Sequence, residues 1–298
     1  VTWKTVSEVQ SYDDEKMTTD IQNLLTIYPF LLHNIIGESV MKKPLHEIVV
    51  GNGTKRVHVN GSFHANEWLT TPLIMHFLND YLLRLTNGSN AQNLNYLHLY
   101  ETTRLSLVPM VNPDGVNLVI HGVPPEEPYR STVLELNNGN TDFSGWKANI
   151  RGVDLNNQFP AKWEIEKERK PQHPGPRDYP GEQPLSEPEA LAMANLTRQS
   201  QFARVLAFHS QGKEIYWGFE GFEPPESEVI VQEFARVSGY TPVRYLDSYA
   251  GYKDWFIQEF RRPGFTIEVG IGVNPLPITQ FDDIYRDNSR ILFASLYM

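Results

Sequence analysis

His64-Ala65-Asn66-Glu67 sets an imidazole and a carboxylate three residues apart, the ligand types that hold zinc when thiolates are absent, and this chain has no cysteine. A second copy of the spacing, His98-Leu99-Tyr100-Glu101, lies in a stretch that reads as extended and leads into the strand pattern 105–111. Residues three apart on a strand point to opposite faces, so this copy is not expected to share a metal. His64 instead follows a strand pattern, and Glu67 stands just before a helical one. In such a strand-to-helix turn both side chains converge at the carboxyl edge of a sheet, where open α/β folds place their ligands. His209 ends a further strand pattern, 204–208, and Glu268 lies inside another, Phe265-Thr266-Ile267-Glu268-Val269. A carboxylate among Phe, Ile and Val needs a partner, a metal or an acid–base task. Two histidines and one glutamate leave a zinc position open to water, and a second glutamate can serve as the base for that water. The GxSxG elbow, the P-loop, HExxH and a helix-opening GxGxxG are all absent.

These residues need elements to hold them. Residues 7–43 read as a polar-to-amphipathic helical segment, with Ile21, Leu24, Leu25, Tyr28 and Leu31 at helical spacing. Residues 48–50, 56–59 and 105–111 are short β-branched runs bounded by Gly, Asn and Pro, which predicts strands. Leu69, Leu73, Phe77, Tyr81 and Leu85 repeat every four residues and predict a helix over 68–85. Ser186-Glu187-Pro188-Glu189 reads as a capping box opening a helix to about Gln199, and a closing helix is expected from Asn288. The alternation predicts an α/β fold: a mixed, mostly parallel twisted sheet flanked by helices on both faces, as one catalytic domain over 1–298. The stretch 160–188 carries seven prolines and reads as a long surface loop rimming a site. His76 is expected at the edge of the core and His173 exposed in that loop.

Lys and Arg number 26 against 36 Asp and Glu, a formal net charge of −10, which argues against nucleic acid or an anionic membrane surface as partner. No apolar run is long enough to span a bilayer. The start, Val1-Thr2-Trp3-Lys4, lacks a leader pattern and begins without Met, so the chain is expected to be a processed form or a piece of something longer, with N-terminal modules absent.

The ordered series His64-x-x-Glu67, Asn112-Pro113-Asp114-Gly115, Val153-Asp154-Leu155-Asn156, Tyr179-Pro180-Gly181, Ser186-Glu187-Pro188-Glu189, Phe208-His209-Ser210, Tyr249 before Asp254-Trp255, and Phe265-Thr266-Ile267-Glu268 resembles the zinc carboxypeptidases of the carboxypeptidase A type over nearly the whole chain. Within them, Trp146-Lys147-Ala148-Asn149 leading to Asp154-Leu155-Asn156-Asn157-Gln158-Phe159 is most similar to the γ-D-glutamyl-diamino acid endopeptidases of bacterial cell-wall peptides. The resemblance implies one zinc per chain on His64, Glu67 and His209, with Asp154 orienting the first histidine. It implies Glu268 as general base, Asn156 as a substrate-carboxylate ligand, and Tyr249 as a tyrosine covering the substrate, with Tyr245 and Tyr252 competing for that role. It implies a peptidoglycan-derived peptide as substrate and a bacterial protein of the cell wall, spore or cytoplasm.

Two positions depart from the pattern. Asn157 stands where carboxypeptidases place an arginine that grips a terminal carboxylate in two places. Ordinary C-terminal trimming is then expected to be poor, unless Arg261 or Arg262 supplies the charge. The cation facing the tetrahedral oxyanion, an arginine in most of the family, is here Lys147 or Arg151. The leading expectation is hydrolysis of the bond between γ-D-glutamate and meso-diaminopimelate or lysine; the alternative is a conventional carboxypeptidase acting on L-peptides.

Overall fold

The computed structural model describes residues 6–88 and 94–298, so the start discussed above lies outside the described residues. Eight strands form one sheet: β1 (Leu32–Glu38), β2 (Pro44–Val50), β3 (Lys55–Gly61), β4 (Thr103–Val108), β5 (Arg204–His209), β6 (Glu214–Tyr216), β7 (Thr241–Val243) and β8 (Gly264–Glu268). Their order is β1-β2-β4-β3-β5-β8-β6-β7. The centre, β4-β3-β5-β8, is parallel, and β1, β2 and β6 pair antiparallel with their inner neighbours. This is the mixed, mostly parallel sheet expected from the alternation of elements.

Strand alternation sends Val57, Val59, Leu206, Phe208, Phe265 and Ile267 to one face. There they pack against α1 (Asp14–Ile27), α2 (Thr70–Thr86), α8 (Glu226–Ser238) and α10 (Phe281–Tyr297). Val205 and Ala207 point the other way, onto α7 (Pro188–Ser200) and α9 (Tyr252–Phe260), through Met193, Trp255 and Phe256. The remaining helices are α3 (Tyr96–Thr102), α4 (Pro113–His121), α5 (Tyr129–Leu136) and α6 (Trp163–Arg169). No helix among the described residues is long and apolar enough to cross a membrane.

Several local expectations are corrected. The segment 7–43 is helical only over Asp14–Ile27, and Leu32–Glu38 forms β1, because its chain continues straight into antiparallel pairing with β2. His98 and Glu101 sit on a helix rather than an extended stretch, and Asn95 caps it by accepting from His98 N at 3.0 Å. The strand expected over 105–111 ends at Val108, and the closing helix begins seven residues before Asn288, at Phe281. Ser186 does not cap α7: its Oγ turns to Gln158 Oε1 at 3.1 Å, and Glu187 holds the cap position. The proline-rich stretch contains α6 between its first and second prolines. His76 is half-buried on α2 and His173 is exposed.

Glu189, in the first turn of α7, is fully buried; its Oε1 accepts from Val40 N at 3.1 Å and its Oε2 from Asn149 Nδ2 at 3.5 Å. Burial, with the Asp114 carboxylate adding to it, pushes its pKa up to about 8. The folded chain keeps this proton while the unfolded chain sheds it near the ordinary carboxyl value, so this group's contribution to stability is complete at low pH and falls as pH rises towards about 8. We predict that Glu189→Gln gains on wild type by a few kcal/mol between about pH 5 and about pH 8 in urea unfolding; a difference independent of pH would contradict the assignment.

Candidate active site

The first histidine is placed by the turn that leaves β3. Gly61 ends the strand where a Cβ would meet Ile74 Cδ1 at 2.9 Å and Thr70 Oγ1 at 3.0 Å, so only glycine lets α2 begin so close. Ser62 follows in a left-handed conformation (φ 49°), its N–H donating to Thr70 Oγ1 at 2.8 Å. The chain then makes one 3-10 turn, Ala65–Glu67, into α2. His64 and Glu67 therefore face the carboxyl ends of the central strands. His209 and Glu268 close β5 and β8 as direct register partners, so their side chains leave the sheet on the same side.

His64, Glu67 and His209 bring one ligand atom each within 4.8 Å of the others, all three residues being buried. Glu67 spans the two imidazoles, Oε1 lying 2.9 Å from His64 Nδ1 and Oε2 2.9 Å from His209 Nδ1. The two Nδ1 atoms are 3.2 Å apart. On its far side His64 Nε2 meets Asp154 Oδ1 at 3.2 Å, which places the ring proton there and turns the Nδ1 lone pair inward. Asp154 is itself held by Asn156 N on Oδ1 at 3.0 Å and by Lys147 Nζ, 2.7 Å from Oδ2. Lys147 also donates to Asp178 Oδ1 at 2.8 Å, and its carbonyl accepts from Ala65 N at 3.0 Å, tying it to the turn that carries His64.

The charges fit this wiring. Burial opposes the protonated form of His64, but Glu67 and Asp154 outweigh it and hold its pKa up at about 9. Against its own burial, Glu67 is held down at about 2 by the two histidines. The Asp154 carboxyl is drawn far below the usual range, again against burial, by Lys147 and His64. Glu268 shifts the other way: burial first, then repulsion from Glu67, push it up to about 8. Glu67 and Glu268, two carboxyl groups that feel each other's charge, are thus driven in opposite directions, the pattern of a ligand and an acid–base group.

A cavity of about 180 Å³ opens beside this group, lined among others by His64, Lys147, Asn156, Asn157, Thr266 and Glu268. Asn156 Oδ1 accepts from Tyr252 N at 3.0 Å. Arg151 is not in the lining; its guanidinium points to Glu187 at 3.5 Å with half its side chain exposed. Of the two candidate cations, Lys147 is the one beside the site. Tyr249 also lies outside the lining, its ring packed on Phe219 and flanked by Lys162 and Arg169. Tyr252 is buried against Thr197, and Tyr245 bonds Glu223, so Leu246 and Ser248 line the cavity from this segment. Arg261 stacks on Phe222 and Arg262 bonds Phe202 O, and no arginine among the described residues lines the cavity.

Lys170, Lys253 and Asn274 are among the residues that escaped the reading of the sequence. Lys170 and Lys253 line the cavity. Asn274 donates through Nδ2 to Ser210 O at 2.7 Å and approaches Glu67 Oε1 at 3.5 Å. The place of Lys253 beside Asp254-Trp255 was a readable signal; nothing local marked the other two.

The residues present fit a zinc ion. Two imidazole nitrogens and a carboxylate converge within 4.8 Å, His209 Nε2 is buried without a hydrogen bond, and Asp154 fixes the tautomer that leaves His64 Nδ1 free to ligate. A dication there would relieve the repulsion that raises Glu268.

The family model for zinc carboxypeptidases matches residues 17–290. Gamma-D-glutamyl-L-diamino acid endopeptidase 1 of Lysinibacillus sphaericus is 60% identical over 298 residues, all of this chain and 75% of that protein. An uncharacterised protein of Bacillus subtilis (strain 168) is 45% identical over 98% of this chain and 79% of its own length. Among solved structures, thrombin-activatable fibrinolysis inhibitor superposes with a TM-score of 0.79 at 18% identity, over 98% of this chain and 76% of that one, a likeness of fold. With the family matched over nearly its whole length and the donors of the family's metal assembled at the strand ends, this chain belongs to the zinc carboxypeptidase family and is a zinc metallopeptidase.

Proposed function

We propose that the enzyme hydrolyses the bond between γ-D-glutamate and a diamino acid, meso-diaminopimelate or lysine, in peptidoglycan peptides. The observation that carries this reading is the cavity's cation set: lysines, with asparagine at 157, in place of a bidentate arginine. That set suits a substrate with carboxylates at several positions rather than a single L-peptide terminus. The relative at 60% identity bears the name of this activity and supports the reading.

When bound, zinc acts as a Lewis acid on the scissile carbonyl and makes water acidic enough to lose a proton near neutral pH. His64, Glu67 and His209 hold it. Glu268 takes the proton of the attacking water and returns one to the leaving amine. Lys147, locked between Asp154 and Asp178, presents its remaining N–H to the oxygen on which negative charge develops. Asn156 and Asn157 hydrogen-bond a substrate carboxylate.

The test is hydrolysis of L-Ala-γ-D-Glu-meso-diaminopimelate beside a blocked L-dipeptide carboxypeptidase substrate. The proposal predicts cleavage of the first at the γ-bond and little of the second. Cleavage of the L-dipeptide alone would make this a conventional carboxypeptidase.

A further inference from the structure

Three ammonium groups line the catalytic cavity, and they are not equally committed. Lys147 lies between two carboxylates, at 2.7 and 2.8 Å. Lys253 is buried, its Nζ donating to Gly218 O at 2.8 Å and paired with Asp254 Oδ1 at 2.6 Å. Lys170, one residue past α6, is different: among the described residues its ammonium makes one ion pair, with Glu166 Oε2 at 3.8 Å, too far for a hydrogen bond, and it acts on the Asp178 carboxyl only through its field. Glu166 makes its own close bonds elsewhere, through Oε1 to Arg169 at 2.6 Å and to Tyr249 N at 2.7 Å. The Lys170 side chain is 29% exposed, against 9% for Lys253, so Lys170 stands nearer the solvent side of the cavity. Past Leu246 the cavity adjoins an open groove of about 550 Å³, lined by Gly218, which Lys253 bonds, and by Asp247, which pairs at 2.9 Å with Arg169, the neighbour of Lys170 in the chain.

We propose that Lys170 is the residue that reads the γ-linkage, by pairing with the free α-carboxylate of the D-glutamyl residue. This rests on the function proposed above. A substrate of that class has carboxylates on both sides of the scissile amide. The leaving diamino acid ends the chain and fills the more enclosed part of the cavity, with Lys253. The γ-glutamyl residue continues out through the mouth, and its α-carboxylate is a group that no ordinary α-linked peptide carries at that position. An ammonium with unfilled donor capacity at the mouth is the recognition element such a group requires. Lys170 touches no reacting atom, so it sets specificity rather than catalysing.

The experiment compares L-Ala-γ-D-Glu-meso-diaminopimelate with the same peptide carrying D-isoglutamine, whose α-carboxylate is an uncharged amide. Wild type is expected to favour the acid. Lys170→Met should lower kcat/KM for the acid about 10- to 100-fold and leave the amide nearly unchanged, and Lys170→Arg should restore most of the loss. Equal loss on both peptides would mean that Lys170 only supports the loop, and no loss on either would mean that the carboxylate lies elsewhere; each overturns the proposal. If wild type cuts neither peptide, the parent reading falls and this one with it, an outcome separable from a wild type that cuts both equally and so overturns this inference alone.

Discussion

Glu268→Gln should bind zinc as wild type does and lose about 10²- to 10⁴-fold in kcat, the usual contribution of a positioned general base. Glu268 is the register partner of His209 at the end of β8, so it faces the metal group without belonging to it. Gln is nearly the same size and keeps the hydrogen-bonding shape, but it can neither take nor return a proton. Metal analysis of the purified variant separates this from a damaged metal site. Bound zinc with undiminished hydrolysis would assign the proton transfer to another group.

Lys147→Met carries the second large effect, on two properties at once. Its ammonium is the counter-ion of Asp154, which is completely buried, and of Asp178 beside it. Removing one partner of a buried pair leaves a charge without compensation, at a cost of about 3–5 kcal/mol. In the role proposed for Lys147, the same change also removes the donor to the developing oxyanion, and kcat is expected to fall by about 10²- to 10³-fold. Lys147→Arg keeps the charge and separates the two effects: it should recover most of the stability in urea unfolding, with kcat reporting how well a planar fork fits the ammonium's place. A Lys147→Met protein as stable and active as wild type would contradict both roles.

What was legible in the sequence follows the range of the signal. His64 and Glu67 share a turn, His209 marks the end of an apolar strand and Glu268 is a carboxylate within another, so local pattern was enough to single out four residues that the fold brings to one sheet edge, Glu268 closing β8 one residue earlier than the pattern 265–269 implied. The choice between Lys147 and Arg151 was not legible, because both lie in irregular chain and only the fold shows that Lys147 faces Asp154 while Arg151 turns to Glu187. Tyr249 stands outside the cavity, in the adjoining groove, for a related reason. Its ring is drawn onto Phe219 and between Lys162 and Arg169, contacts from distant segments. The apparent capping box at Ser186 failed because Gln158, from a loop far along the chain, competes for the serine. β1 hid behind a helical spacing whose last residue, Leu31, belongs to the turn before the strand.

Zinc on His64, Glu67 and His209 is proposed to drive cleavage of a γ-D-glutamyl bond. The most direct test is to strip the protein with a chelator and return zinc in steps, following metal bound and release of the diamino acid from L-Ala-γ-D-Glu-meso-diaminopimelate. Activity should disappear with the metal and return in full at one zinc per chain. Cleavage of the γ-bond by metal-free protein, or zinc bound at that ratio with the γ-bond untouched, would contradict it.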